Sequence, residues 1–239
     1  VSSYSVNNGV GTPALATPIA PDYTTVRLNF TQTFPQGTIY TITVSNVSDC
    51  SGNPIGMNDT ARFAVPDIAQ PNDVVINEIL FNPKTGGYDF VELYNRSNKI
   101  IDLNTFDILE KDISDPSSIL EQASVSTQSY LLFPKDFVVL TANTDNIKQN
   151  YYVENPNALL QVPSFPNYAD DKSICVLKIH NGATIDSLSY DHSWQFALLD
   201  VEDGVSLERI DYDKPTQDKN NWHSAASTVG FATPTYRNS

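Results

Sequence analysis

Short runs in which every second residue is apolar recur along this chain, each closed within a few residues by Gly, Pro, Asn or Asp. Nothing else constrains the fold as tightly. Val26, Leu28 and Phe30 alternate with polar residues in Thr25–Phe30, and Tyr40, Ile42 and Val44 do so in Thr38–Val44. Successive side chains on a strand point to opposite faces, so this period sets one face on a core and leaves the other to water. Phe34-Pro-Gln-Gly37 and Asp49–Pro54 read as turns, and Thr60–Val65 as a closing strand. Three or four strands predict a thin sandwich over residues 1–66, with its first strands outside this fragment. Residues 67–72, inside Pro66–Asn72 with its two prolines, read as a short, stiff linker. Strands are then expected at Val74–Phe81, Asp89–Tyr94, Thr105–Glu110, Tyr130–Phe133, Phe137–Thr141, Ser173–Asn181, Thr184–Tyr190 and Val205–Ile210. Their spacing predicts one larger sandwich over 73–239. The loops Asp112–Ser129 and Val153–Asp171 look long, and the one expected helix is Asn146–Tyr151, capped by Asp145.

Composition agrees with an all-β fold. Only 18% of the 239 residues are charged, and β-branched and aromatic residues stand where Ala, Leu, Glu and Lys would favour helix. Fourteen basic against 28 acidic residues leave a net charge of -14. Such a field repels nucleic acid, whose binding depends on Lys and Arg releasing counterions, and repels an anionic membrane for the same reason. No apolar run approaches the ~20 residues that span a bilayer. The chain opens on Val1, which reads as a piece of a longer exported precursor. Cys50 and Cys175 are far apart and outside any CxxC pair, so isolated thiols are expected before a long-range disulfide or a zinc site.

Asp73–Pro83 (DVVINEILFNP) and Tyr88–Asn95 (YDFVELYN) resemble the opening of the lamin tail domain as it occurs in bacterial proteins. Gly204–Ile210, Asn221–Ala225 and Thr233–Ser239 look like that family's closing strand and tail. Ala232 and Thr235 depart from it, standing where glycines commonly flank the Thr-Pro pair, and this weakens the expectation of a tight turn there. The first segment, through Val47–Asn53, is similar to bacterial Ig-like repeats of surface proteins. The resemblance implies tandem immunoglobulin-like β-sandwiches, the larger C-terminal one of lamin-tail type. It also implies a non-catalytic spacer, adhesive or partner-binding module of an exported bacterial protein, at the cell surface or outside the cell. The alternative is an accessory domain that targets a secreted hydrolase or nuclease. Partners would be other proteins or surface polysaccharide, with neither nucleic acid nor membrane insertion.

Five residues are singled out as structural: Glu78, Glu92, Glu208, Arg209 and Trp222. Val91 and Leu93 face the core if Glu92 points away, and a carboxylate paired with Arg209 would tie the first and last strands of the larger sandwich together. Paired carboxylates also serve in glycoside hydrolysis, but the structural role is preferred. His180, His192 and His223 form no HExxH, and the chain has no GxSxG elbow. No catalytic residue and no cofactor is therefore expected. Acidic loop residues Asp170, Asp171, Asp200, Glu202 and Asp203 are weak Ca²⁺ candidates, as are Asp112, Asp115, Asp211 and Asp213; none has EF-hand spacing. Tyr151, Tyr152, Trp194 and Phe196 could form an exposed aromatic platform, with core packing the preferred reading. The Asn-x-Ser/Thr acceptors at Asn29, Asn46, Asn58 and Asn95 are ascribed to composition.

Overall fold

A computed structural model describes residues 1–49, 51–56 and 59–239. The chain forms two compact units, Val1–Asp67 and Ile68–Ser239. Cys50 and the acceptor Asn58 lie outside the described residues.

The first unit has five strands: β1 (Tyr4–Val6), β2 (Leu15–Pro18), β3 (Val26–Asn29), β4 (Tyr40–Val44) and β5 (Asp59–Phe63). They pair antiparallel in two small sheets, β1-β4-β5 and β2-β3. Three or four strands were expected. β1 and β2 escape the pattern because one is only three residues long and the other buries none of its side chains. The core is an aromatic knot. Phe34 sits edge-on to Phe30, Tyr40 and Phe63 at centroid distances of 5.4, 5.0 and 5.2 Å, the arrangement that aromatic quadrupoles favour.

The second unit contains β6 (Val74–Leu80), β7 (Phe90–Asn95), β8 (Ile101–Asp102), β9 (Phe106–Lys111), β10 (Ile119–Ser124), β11 (Leu131–Leu132) and β12 (Phe137–Thr141). Helix α1 (Thr144–Asn150) follows, then β13 (Leu159–Gln161), β14 (Lys172–Ile179), β15 (Thr184–Asp191), β16 (Leu207–Arg209) and β17 (Trp222–Ser224). A four-stranded sheet runs β10-β9-β14-β15 and a six-stranded sheet runs β13-β12-β7-β6-β16-β17; β8 and β11 form a small separate pair. All pairs are antiparallel except β12 with β13. Ile76, Val91, Leu93 and Val138 of one sheet meet Ile108, Cys175, Leu177 and Leu188 of the other in the main core. This is the larger sandwich that the strand spacing predicted, immunoglobulin-like as the family resemblance implied. Residues 68–72, read as linker, belong to this unit: Ala69 is buried in its core and the Asn72 amide donates to the Ile185 carbonyl.

β6 carries the feature that organises the site. Ile76 lies opposite Leu93 and Glu78 opposite Glu92, so Asn77 is an extra, bulged residue. A bulge resets the inward-outward alternation. Ile76 and Ile79 therefore both reach the core, while Glu78 and Leu80 point to the outer face of the six-stranded sheet. There Leu80, Phe90 and Val139 form a second small core, roofed by Ile147 of α1, by Tyr151 and by Ala232. Helix α1 starts two residues earlier than expected. Asn143, not Asp145, is the N-cap, its side chain accepting the Asn146 amide at 3.0 Å. Asp145 instead sits in the first turn and pairs with Lys148 at 2.6 Å.

β15 is the longest edge strand, yet its exposed edge is occupied. The Ile185 carbonyl accepts from the Asn72 amide, the Ser187 carbonyl accepts from Gln217 Nε2 at 2.9 Å, and Asp186 turns toward β6.

Candidate functional site: a carboxylate row under the C-terminal segment

Cross-strand register places Glu92 of β7 opposite Glu78 of β6, Glu78 opposite Glu208 of β16, and Glu208 opposite His223 of β17. Side chains directly opposite on neighbouring strands stand close together. The three carboxylates thus form a row across the outer face of the sheet, and all three are fully buried.

The segment Phe231–Ser239 covers them. Thr233 donates its amide to Glu78 Oε1 at 2.9 Å, Thr235 its amide to Glu92 Oε2 at 2.5 Å, and Ser239 its amide to Glu208 Oε2 at 2.9 Å. Side chains complete the shell. Ser206 Oγ donates to Glu78 Oε1 at 2.6 Å, Asn77 Nδ2 to Glu92 Oε1 at 2.7 Å, and Ser239 Oγ to Glu208 Oε2 at 2.7 Å. Asn77 and Asn238 exchange amide hydrogen bonds of 2.8 and 3.1 Å, so the bulged residue also holds the segment. Among the described residues no Lys or Arg forms an ion pair with the row; only His223 approaches, with Nε2 3.6 Å from Glu208 Oε2. Burial, reinforced by the Glu208 charge, pushes the Glu78 carboxyl up to about 8. Burial and the charge of Glu78 likewise raise Glu92 well above the usual carboxylate range.

Thr235 shows what that anchoring supports. Its φ is 76°, in the left-handed region that a β-branched residue resists. Its amide is held by Glu92, and its hydroxyl accepts the Asn155 amide at 2.9 Å. A turn is therefore made here without the glycine, because the surroundings over-determine the strained backbone.

Arg209 faces the other way, into the sandwich. Its carboxylate partner is Asp186 of β15 at 3.4 Å, rather than any of the three glutamates. Its Nε donates to the Ile76 carbonyl at 2.7 Å, while the Ile76 amide donates to Asp186 at 2.8 Å. β16 pairs with β6 only at Ile79 and Glu78, which leaves the backbone groups of Ile76 without a partner on β16. Arg209 and Asp186 fill that gap. Thr216 bridges them, donating to Asp186 at 2.6 Å and lying 2.7 Å from Arg209 Nη2, and Trp222 packs 5.1 Å below the guanidinium. The Trp222 indole donates to the Thr216 carbonyl at 2.8 Å.

The other sequence candidates are dispersed. His180 Nδ1 lies 2.8 Å from Asp107, its Nε2 faces the Asn104 carbonyl, and Ser124 contacts the aspartate instead of the imidazole, so no nucleophile meets a base there. The bond to Asp107 raises the His180 pKa. His192 lies 3.3 Å from Glu202 and donates its backbone N–H to the Asp171 carbonyl. Asp203 accepts from Asn82 at 3.2 Å, and Asp170 and Asp200 are exposed. Among the described residues no three His, Cys, Asp or Glu side chains are grouped to hold a metal ion. The aromatic set divides: Tyr151 is buried in the small core and Trp194 is partly packed, whereas Tyr152 and Phe196 are exposed. Cys175 is a free, buried thiol; burial pushes it up to about 12, and Tyr168 Oη donates to its Sγ at 3.2 Å.

A second acidic convergence was missed from sequence. Three consecutive amides, of Asn167, Tyr168 and Ala169, donate to Glu121, Asp89 and Glu110 at 2.8, 2.8 and 3.1 Å. Burial lifts Asp89 to about 8. No local pattern announces this, since the three acids come from three separate strand regions.

The fold and its polar anchors define an immunoglobulin-like β-sandwich whose buried charges hold the chain together. Residues 68–192 match the Lamin Tail Domain family, and the chain belongs to that family, one of non-enzymatic Ig-like modules. β16 and β17 lie beyond the matched residues yet complete the six-stranded sheet. Among solved structures it is similar to a DUF4876 family protein from Bacteroides thetaiotaomicron, at 11% identity and a TM-score of 0.42, over 89% of this chain and 91% of that one. No curated protein matches.

Proposed function

We propose that the chain is a structural and interaction module, spacer or adhesive, of a larger bacterial protein carried to the cell surface or beyond it. One observation carries this reading. The residues best suited to acid-base chemistry, Glu78, Glu92 and Glu208, spend their oxygens on the backbone and side chains of the chain itself, under a covering segment. A general acid or base must reach substrate within hydrogen-bond distance, and under the seated segment this row is closed to one. Contact with a partner then falls to the loops, where Phe196, Leu198 and Val201 are 58, 80 and 63% exposed. The partner is another protein or a surface polysaccharide; the net charge of -14 disfavours nucleic acid.

Two measurements test this. The purified chain is assayed against ester, glycoside and nucleic-acid substrates, and no turnover is expected. Activity that Glu92→Gln or His223→Ala abolishes without altering the melting temperature overturns the reading. Surface labelling of intact source cells tests the location: an antibody to this chain binds them if the proposal holds, and staining confined to lysed cells refutes export.

A further inference from the structure

The row has a proton count that its geometry imposes. The Thr233 hydroxyl carries one hydrogen but lies between two carboxylates, 2.5 Å from Glu208 Oε1 and 3.3 Å from Glu78 Oε2. A hydroxyl can donate to only one of them. Both contacts are hydrogen bonds only when one of the two acids is protonated and donates to Thr233 Oγ1, which in turn donates to the other. With all three acids ionised, like charges face each other across adjacent strands in a dry setting, without a Lys or Arg partner among the described residues.

The remaining groups around the row are few. His223 comes from β17, Tyr151 follows α1, and Tyr212 stands beside Glu92 and Glu208. Tyr236 and Arg237 belong to the covering segment, with Glu154 near Tyr236. Tyr151, Tyr212 and Tyr236 stay neutral through the range where carboxylates titrate, since burial raises all three. What keeps water from the row is the segment itself, through Ala232 in the small core and the Thr233, Thr235 and Ser239 amides. It enters from Gly230, whose φ of 85° makes the turn after Ser227–Val229.

We propose that Phe231–Ser239 is a proton-held strap, seated on the sheet while the carboxylate row carries protons and lifted from it as they are lost. Lifting returns Glu78 and Glu92 to water, where they ionise at ordinary acidity. The seated form therefore binds protons more tightly, and by linkage protons favour seating. The lifted form uncovers an acidic and apolar strip of β6, β7 and β16.

The test is amide hydrogen exchange on the intact chain at about pH 5.5 and about pH 8.5, with each rate corrected for its intrinsic pH dependence. Protection at Thr233, Thr235 and Ser239 is expected to fall at least about tenfold at the higher pH, while Val176 and Leu177 in β14 change less than about twofold. The double variant Glu78→Gln, Glu92→Gln, which imitates the protonated acids, is expected to keep strap protection level between the two conditions. Strap protection that does not fall in the native chain overturns the proposal. So does a fall shared equally by β14, which reports global unfolding, and so does a pH-dependent fall that persists in the double variant.

Discussion

Glu78 has Glu92 on one side and Glu208 on the other, and its lone compensations are a serine hydroxyl and the strap. Replacing it with the neutral isostere should remove repulsion without removing shape. Glu78→Gln is expected to raise stability by about 1–3 kcal/mol at about pH 8.5 and to leave it nearly unchanged near pH 5. Both tryptophans, Trp194 and Trp222, lie in the second unit, so denaturant unfolding followed by their fluorescence reports this unit alone. Arg209 is the opposite case. Arg209→Met leaves Asp186 buried without its cation and the Ile76 carbonyl without a donor, and should lower stability by about 3–5 kcal/mol in the same experiment. Adding Asp186→Asn should recover part of the loss. The charges themselves were legible in sequence, because a glutamate inside an apolar strand run draws notice. Their partners were not: Asp186, Thr233 and Ser239 are separated from them by 23 to 155 residues, and only the register of distant strands brings them together.

Strands whose alternate residues are buried were readable one at a time, and β6, β7, β9, β12, β14 and β15 fall where the period put them. β10 and β13 did not, for a common reason. Each is an edge strand: β10 buries Ala123 alone and β13 only half-buries Leu159 and Leu160, so neither shows a half-apolar repeat and the sequence around both reads as long loop. They are held by backbone pairing to a neighbour, which leaves no mark in local sequence. The start of α1 was misplaced because Asn143 and Asp145 are equally good caps by residue type. The cap assignment makes a clear distinction in the laboratory. Asn143→Ala should cost about 1 kcal/mol in urea unfolding, whereas Asp145→Ala, which loses an exposed pair with Lys148, should cost less than about 0.5 kcal/mol.

For the whole molecule the raised acids act in one direction. Glu78 and Asp89 are lifted to about 8, and Glu92 and Asp186 are raised, all chiefly by burial. The folded chain thus holds protons that the unfolded chain releases near 4. Their contribution is fully present below that range and is lost as pH climbs through about 8. His180, raised by Asp107, adds in the same sense. The lowered acids Asp49, Asp112 and Asp191 lie at or near the surface and act only at the acid end. Stability of the second unit is therefore expected to be greatest near pH 5 and to decline by several kcal/mol toward pH 8.5. Urea midpoints across that range check it, and a flat or rising profile contradicts it.

The occupied margin of β15 bears on how such modules coexist. An open ladder of amides and carbonyls along a flat strand invites any extended neighbour to join it. Here Asn72 and Gln217 have already taken the Ile185 and Ser187 carbonyls, and the six-stranded sheet ends on strands of three residues at both flanks. Copies crowded on one surface, or strung along one chain, would find this margin already filled where an added strand would first dock.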